Sequence, residues 1–157
     1  MVSVRRATAE DIERCIAIVE SLPDYFTDDV PAKVQRELAE HLGWVGVGPE
    51  RVVGFAVVER RSTRAAEILW IAVDDDVRGQ GVGSALVDRL VTELADDGVA
   101  VIEVKTLDES ADYEPYVATR AFWERHGFIQ IDMIDPLPGW EPGNPAAIRV
   151  AALKPSR

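Results

Sequence analysis

The order of segments predicts an α/β chain of the α+β kind: a mixed, mostly antiparallel central sheet with helices on both faces. Three observations predict it. Valine- and isoleucine-rich runs at 44–47, 52–59, 65–73 and 99–106 have strand character, and shorter ones lie near each end of the chain. Amphipathic runs between them repeat apolar residues at helical spacing. One of these runs, from Val82 to Leu94, links two strands by a crossover long enough to make them parallel neighbours.

At 157 residues and 47% hydrophobic residues, the chain has the size and core content of one domain, 1–157. Its formal net charge of −11 argues against a nucleic-acid surface. The same charge would favour cationic acceptors such as amines, and it equally describes ordinary solubilising charge. No apolar run has the length of a membrane span, and Met1-Val2-Ser3-Val4-Arg5-Arg6 leads directly into folded-looking sequence. The expectation is a soluble, cytoplasmic protein with neither membrane nor nucleic acid as partner. The single cysteine, Cys15, lies beside Ile12, Ile16 and Val19 and is expected in the core.

Ser3 to Arg6 reads as a short strand. Thr8, with Asp11 three residues on, is a capping-box variant that starts a helix to about Leu22, and Pro23 ends it. A second helix has Pro31 in its first turn, carries Val34, Leu38 and Leu42 at four-residue spacing and finishes near Gly43. Between the two, Asp24-Tyr25-Phe26-Thr27-Asp28-Asp29 is irregular. Trp44 to Val47, Val52 to Glu59 and Ala65 to Val73 form an antiparallel meander, with Gly54 at a bulge or a close backbone contact. The helix with Val82, Leu86, Val87, Leu90, Val91 and Leu94 on its apolar face stops at Gly98, a left-handed cap. Val99 to Thr106 is a strand, 107–114 an acidic loop, and Pro115 opens a helix to His126 with Gly127 as its cap. Phe128 to Ile134 and Ala147 to Leu153 close the chain as a strand pair.

The stretch from Ile71 to Ser84 reads as strand, glycine turn and helix. The first amides of a helix have no intrahelical acceptor and sit at the positive end of its dipole, and glycines let an anion approach them, so this junction is suited to phosphate. A P-loop is excluded because Gly83 is followed by Ser84 with no lysine. A dinucleotide fold is disfavoured because the glycines stand at 79, 81 and 83 in mid-chain.

Arg78-x-x-Gly81-x-Gly83, between a strand and a helix, resembles the pyrophosphate-binding signature of the GNAT acetyltransferase superfamily. The resemblance extends from Val4-Arg5-Arg6-Ala7-Thr8 to Phe122-Trp123-Glu124-Arg125-His126-Gly127-Phe128. It implies the GNAT acyl-CoA N-acyltransferase fold, with acetyl-CoA as co-substrate. It implies further that Arg78, Gly79, Gln80, Gly81, Val82, Gly83 and Ser84 hold the pyrophosphate. The backbone of Ile71, Ala72 and Val73 would hold the pantetheine between two splayed strands, with Thr119 and Phe122 beside it. No residue cluster has metal-ligand spacing, so no metal is expected.

Acetyl transfer to an amine needs a base, because an ammonium ion has no lone pair. It also needs donors for the oxyanion, and the departing thiolate takes up a proton. Glu67 is the favoured base: it is an acid in an otherwise apolar strand, read as sharing a face with Leu69, Ile71 and Val73. A strand-start glutamate in water is the competing reading. Asp74, Asp108 and Glu109 are weaker candidates because they lie in turns. At the position where the resembled family has its tyrosine acid, this sequence has Trp123, whose indole can donate a hydrogen bond but not a proton. Tyr116 or Tyr113 would then substitute, or the acid is dispensable. His126 and His41 read as helix-end caps.

Two functions follow. One is an acetyl-CoA-dependent N-acetyltransferase that uses direct attack by a primary amine of a small molecule or peptide. The other is a CoA-binding module with little catalysis, a sensor or subunit. The acceptor is not legible, and the resemblance leaves a homodimer open.

Overall fold

A computed structural model describes residues 2–154; Met1 and residues 155–157 of the expected 1–157 unit lie outside the described residues. Seven strands form one sheet: β1 (Ser3–Arg6), β2 (Leu42–Val47), β3 (Val52–Arg60), β4 (Ala65–Val73), β5 (Val101–Leu107), β6 (Ile129–Ile134) and β7 (Ala146–Ala152). Their spatial order is β1-β2-β3-β4-β5-β7-β6. Only β4 and β5 run parallel, as the crossover between them requires.

The helices are α1 (Ile12–Glu20), α2 (Val30–Glu40), α3 (Val82–Asp96) and α4 (Tyr116–Arg125). Two apolar layers flank the sheet, one on each face. On one side Cys15, Ile18 and Val19 of α1 and Val30 and Val34 of α2 pack on Val45, Phe55, Val57 and Ala72. On the other, Leu86, Leu90 and Leu94 of α3 and Trp123 of α4 pack on Trp44, Ala56, Ile68, Ile102 and Val104. Burial pushes the Cys15 thiol up to about 12, in keeping with a core side chain. The capping box at Thr8 and Asp11 is present, and Arg5 holds the Asp11 carboxylate with two bonds of 2.8 and 3.0 Å.

Two element boundaries are corrected. The second helix ends at Glu40, and Leu42, expected on its apolar face, opens β2 instead. His41 is already extended, and Gly43 pairs with Val57. A Cβ on Gly43 would lie 2.8 Å from Leu38 Cδ2 and 3.0 Å from Ala7 Cβ, so glycine lets the strand turn under the helix without displacing these side chains. Likewise β5 begins at Val101, because the Val99 amide is spent closing α3 onto the Leu94 carbonyl at 3.0 Å behind the left-handed Gly98.

Gly54 is at both a register shift and a close contact: the β2–β3 pairing steps from Gly46↔Gly54 to Val47↔Val52, and a Cβ on Gly54 would meet Val82 Cγ1 at 2.9 Å and the Ala72 carbonyl at 3.2 Å. This seats the start of α3 directly on β3. Gly54→Ala is therefore expected to cost about 1–3 kcal/mol through overpacking, read as a lower urea midpoint at unchanged m-value. An unchanged midpoint would show that α3 is not held this close.

Candidate active site

The site begins where two strands part. The β4–β5 ladder runs from Ala65↔Val101 to Ile68↔Val104 and stops, although β4 continues to Val73 and β5 to Leu107. Over 69–73, β4 pairs with β3 alone, so its peptide groups facing β5 have no strand partner. Unpaired backbone groups at this depth need an acceptor or donor from elsewhere. The parting lies directly below the glycine turn that follows Val73.

A bulge helps to shape it. Val57 pairs with Trp70 and Val58 with Ile68, which leaves Leu69 as the extra residue. The bulge resets the side-chain alternation: Ala66, Ile68, Ile71 and Val73 pack on the α3 side, and Leu69, Trp70 and Ala72 on the α1–α2 side. The expectation that Glu67 shares a face with Ile71 and Val73 is thereby corrected. Glu67 lies opposite Ala66 and Ile68, on the other side of the sheet.

The turn between β4 and α3 is held by Asp74. Its carboxylate accepts from the Asp76 amide and is bound by Arg14 and Arg51. Gly79 and Gly81 then take φ of +77° and +83°, a left-handed backbone with no heavy atom within 4 Å of where a Cβ would be. The first helical bond runs from the Ala85 amide to the Gly81 carbonyl, so the amides of Val82, Gly83 and Ser84 stay free of intrahelical acceptors. Gly83 has ordinary backbone angles and serves a different purpose: a Cβ there would stand 3.1 Å from Phe122 Cε1, so α4 packs against it. Ser84 Oγ and His126 Nε2, 3.0 Å apart, tie the two helices on the same side. Arg78 stacks over the Tyr25 ring at 4.6 Å and donates to its hydroxyl at 3.0 Å.

Glu67 sits one residue before the strands part, with a side chain only 6% exposed. Arg61 Nη1 donates to its Oε1 at 2.7 Å, and Lys105 Nζ lies 3.2 Å from Oε2. Burial pushes its carboxyl up and Lys105 and Arg61 pull it down, and the net direction is up. Both cations keep contact with water, Arg61 being half exposed, and screening weakens their pull. Asp74 and Asp108, the weaker candidates, are already engaged as turn caps.

Trp123 is 2% exposed, wedged between Phe122 and Phe128 with ring centroids 5.0 and 4.9 Å away. Tyr116 donates its hydroxyl to the Tyr25 carbonyl at 3.2 Å, and burial pushes it up to about 12. Tyr113 donates to the Asp24 carbonyl at 2.7 Å. These contacts, with Tyr25–Tyr116 and Phe26–Trp70 ring pairs at 5.7 and 6.2 Å, pin the 24–29 segment across the top of the parted strands. Sequence reasoning missed Tyr25 as the partner of Arg78 and Lys105 as the partner of Glu67. The alternation of Glu103 and Lys105 on β5 was the one available signal for the latter.

Parted strands, a left-handed glycine turn and a helix start with free amides together suit a long ligand ending in phosphates, the shape and chemistry of coenzyme A. A family model described as the acetyltransferase (GNAT) domain matches residues 39–130. The chain belongs to the GNAT acetyltransferase family. A peptidyl-lysine N-acetyltransferase, YjaB, of Salmonella typhimurium is 30% identical over 101 residues, covering 59% of this chain and 66% of that protein, just under two thirds of its length. An amino-acid acetyltransferase of Mycobacterium tuberculosis is 26% identical over 132 residues, 82% of this chain and 69% of that protein. Among solved structures, a GNAT-family protein of Desulfovibrio desulfuricans superimposes with a TM-score of 0.83 at 21% identity, over 97% of this chain and 99% of that one. An aminoglycoside 6'-N-acetyltransferase complexed with coenzyme A does so with a TM-score of 0.74 at 17% identity, over 99% of each chain. Among the described residues no helix is long and apolar enough to cross a membrane, and no group of three His, Cys, Asp or Glu side chains could hold a metal ion.

The Gly83–Phe122 contact gives a direct check on the packing of α4 against α3. Gly83→Val is expected to lose about 1–3 kcal/mol of stability, and part of that loss should vanish in a Phe122→Ala background. Strict additivity of the two changes in a double-mutant cycle would show that the side chains do not meet.

Proposed function

We propose that this chain is an acetyl-CoA-dependent N-acetyltransferase in which a primary amine attacks the thioester directly within a ternary complex. The observation that carries this reading is the end of the β4–β5 ladder at Ile68↔Val104, immediately below the glycine turn. Backbone of Ile71, Ala72 and Val73 meets the pantetheine arm, and the turn from Gly79 to Ser84, with the free amides of Val82, Gly83 and Ser84 and with Arg78, meets the pyrophosphate. Thr119 and Phe122 close the slot from α4. The two curated relatives are named for a peptide lysine and an amino acid, both primary amines, which supports that acceptor class.

The thioester supplies an activated acetyl group; the residues of the chain handle position and protons. Glu67, at the apex of the parting, accepts the proton of the incoming ammonium, through water. Burial raises its carboxyl and so makes it a better base than an exposed glutamate, while Lys105 and Arg61 favour the ionised form. Tyr116 is assigned to positioning: a hydroxyl at about 12 that already serves the Tyr25 carbonyl is a poor donor to a thiolate of pKa about 8.5. Trp123, buried in the core between Phe122 and Phe128, supports α4 from behind and takes no part at the thioester, and the thiol leaves without a dedicated acid.

The test is an amine panel of lysine peptides, amino acids, polyamines and aminoglycosides with acetyl-CoA, monitored by free CoA. Thiol release above background with at least one amine is expected. Saturable acetyl-CoA binding with no release across the panel would favour the binding-module reading, and no binding would end both.

Glu67→Gln is expected to lower turnover by about 10²–10⁴-fold at little cost in acetyl-CoA affinity. Because a base must be ionised to act, the rate falls as pH drops through the Glu67 pKa. Removing the cation in Lys105→Met disfavours the carboxylate, so that acid limb is expected to move to higher pH. An acid limb that stays in place in Lys105→Met, or a Glu67→Gln rate within a few-fold of wild type, would assign the base elsewhere.

A further inference from the structure

Three buried side-chain atoms among the described residues find no partner, and all three belong to one place: Thr106 Oγ1, Arg120 Nη1 and Arg149 Nε. Thr106 on β5 and Arg149 on β7 are diagonal neighbours on one sheet face, since Thr106 pairs with Ala147 and Arg149 with Val104. Helix α4 lies over that face. Its Arg120 is close enough to Asp108 for its charge to hold that carboxyl down, and its Glu124 lies 3.9 Å from Arg149 Nη2, beyond hydrogen-bond reach. Arg149 is only 5% exposed. A guanidinium so buried, with no carboxylate bonded to it, is costly and is a strong recruiter of an anion.

Of the three, Arg149 lines an open cleft of about 630 Å³ between the end of α4 and β6, together with Asp108, Glu109, Glu124, Phe128 and Gln130 among others. None of the residues assigned to the glycine turn or the parted strands lines it. The Arg149 guanidinium in its wall matches a carboxylate, for which arginine has the donor geometry, and Thr106 on the same sheet face and Arg120 beside Asp108 are the nearest further donors. The mouth carries Asp108, Glu109 and Glu124, which repel a multiply charged phosphate and attract an ammonium. Phe128 and the 69%-exposed Ile129 supply an apolar wall.

We propose that this cleft is a binding site for a free amino acid, its carboxylate on Arg149, Arg120 and Thr106 and its ammonium toward Glu124 and Asp108. The bound amino acid is not the acceptor of the transfer, because no residue of the slot lines the cleft and Glu67 lies on the other face of the sheet. Incubation with acetyl-CoA and mass analysis of the amino acid check this without bearing on whether it binds.

The experiment is calorimetric titration of the full chain with individual amino acids, and with propionate and propylamine as single-charge controls. Saturable binding of at least one amino acid is expected, with both controls more than about tenfold weaker. Arg149→Met and Arg120→Met should each weaken it by more than about tenfold, since each removes one partner of a buried charge pair, and leave CoA affinity unchanged. Glu124→Gln, on the exposed rim, should weaken it less and carries the test if Arg149→Met does not fold. No saturable binding by any amino acid, propionate binding as tightly as the amino acids, or affinity retained in both Arg120→Met and Glu124→Gln would overturn the proposal. A loss of CoA binding alone would count against the acyl-CoA slot and not against this cleft.

Discussion

A parallel ladder that stops at Ile68↔Val104, while both strands continue, is the constraint on which the rest of this molecule depends. Continuous pairing would satisfy every backbone group of β4 and leave nothing for a ligand; parting frees a row of peptide groups at the centre of the sheet. Such a row can stay open only if its surroundings hold the strands apart. On one side β3 pins β4 along its length through the Leu69 bulge, and on the other β7 pins β5 from Val101 to Leu107. The apolar layers on both faces then fix the width of the opening, because side chains packed at interior density do not let the strands close.

The glycine turn is rigid for related reasons. Asp74 is locked by Arg14, Arg51 and the Asp76 amide, and the start of α3 is seated on Gly54 and against α4 through Gly83 and Phe122. The amides of Val82, Gly83 and Ser84 therefore converge before any ligand arrives, which spares binding the entropy of ordering them. Arg78 is the adjustable member. It rests on Tyr25, and Tyr25 in turn receives Tyr116 through its carbonyl, so the cation beside the turn and the segment over the parted strands are in direct contact.

Much of this was legible in the sequence. Periodicity placed every strand and helix in order, the crossover fixed the parallel pair, and Arg78, Gly79, Gly81 and Gly83 marked the glycine turn between β4 and α3. Features that depend on pairing across the sheet were not legible. Leu42 fits the spacing of α2 as well as the start of β2, and only the contact of Gly43 with Leu38 and Ala7 decides it. The Leu69 bulge, which puts Glu67 on the opposite side from Ile71 and Val73, exists only by virtue of the register with β3. The partners of Glu67, Arg78 and Arg149 come from distant segments, and no local pattern announces them.

The central claim, that the parted strands and the glycine turn form one continuous slot for coenzyme A, is tested most directly by amide hydrogen exchange on the full chain with and without CoA. The expected result is slowed exchange confined to 71–73 and 79–84, with the amides of β1, β2 and β6 unchanged. Protection absent from both stretches at saturating CoA, or protection centred on the Arg149 cleft, would contradict it.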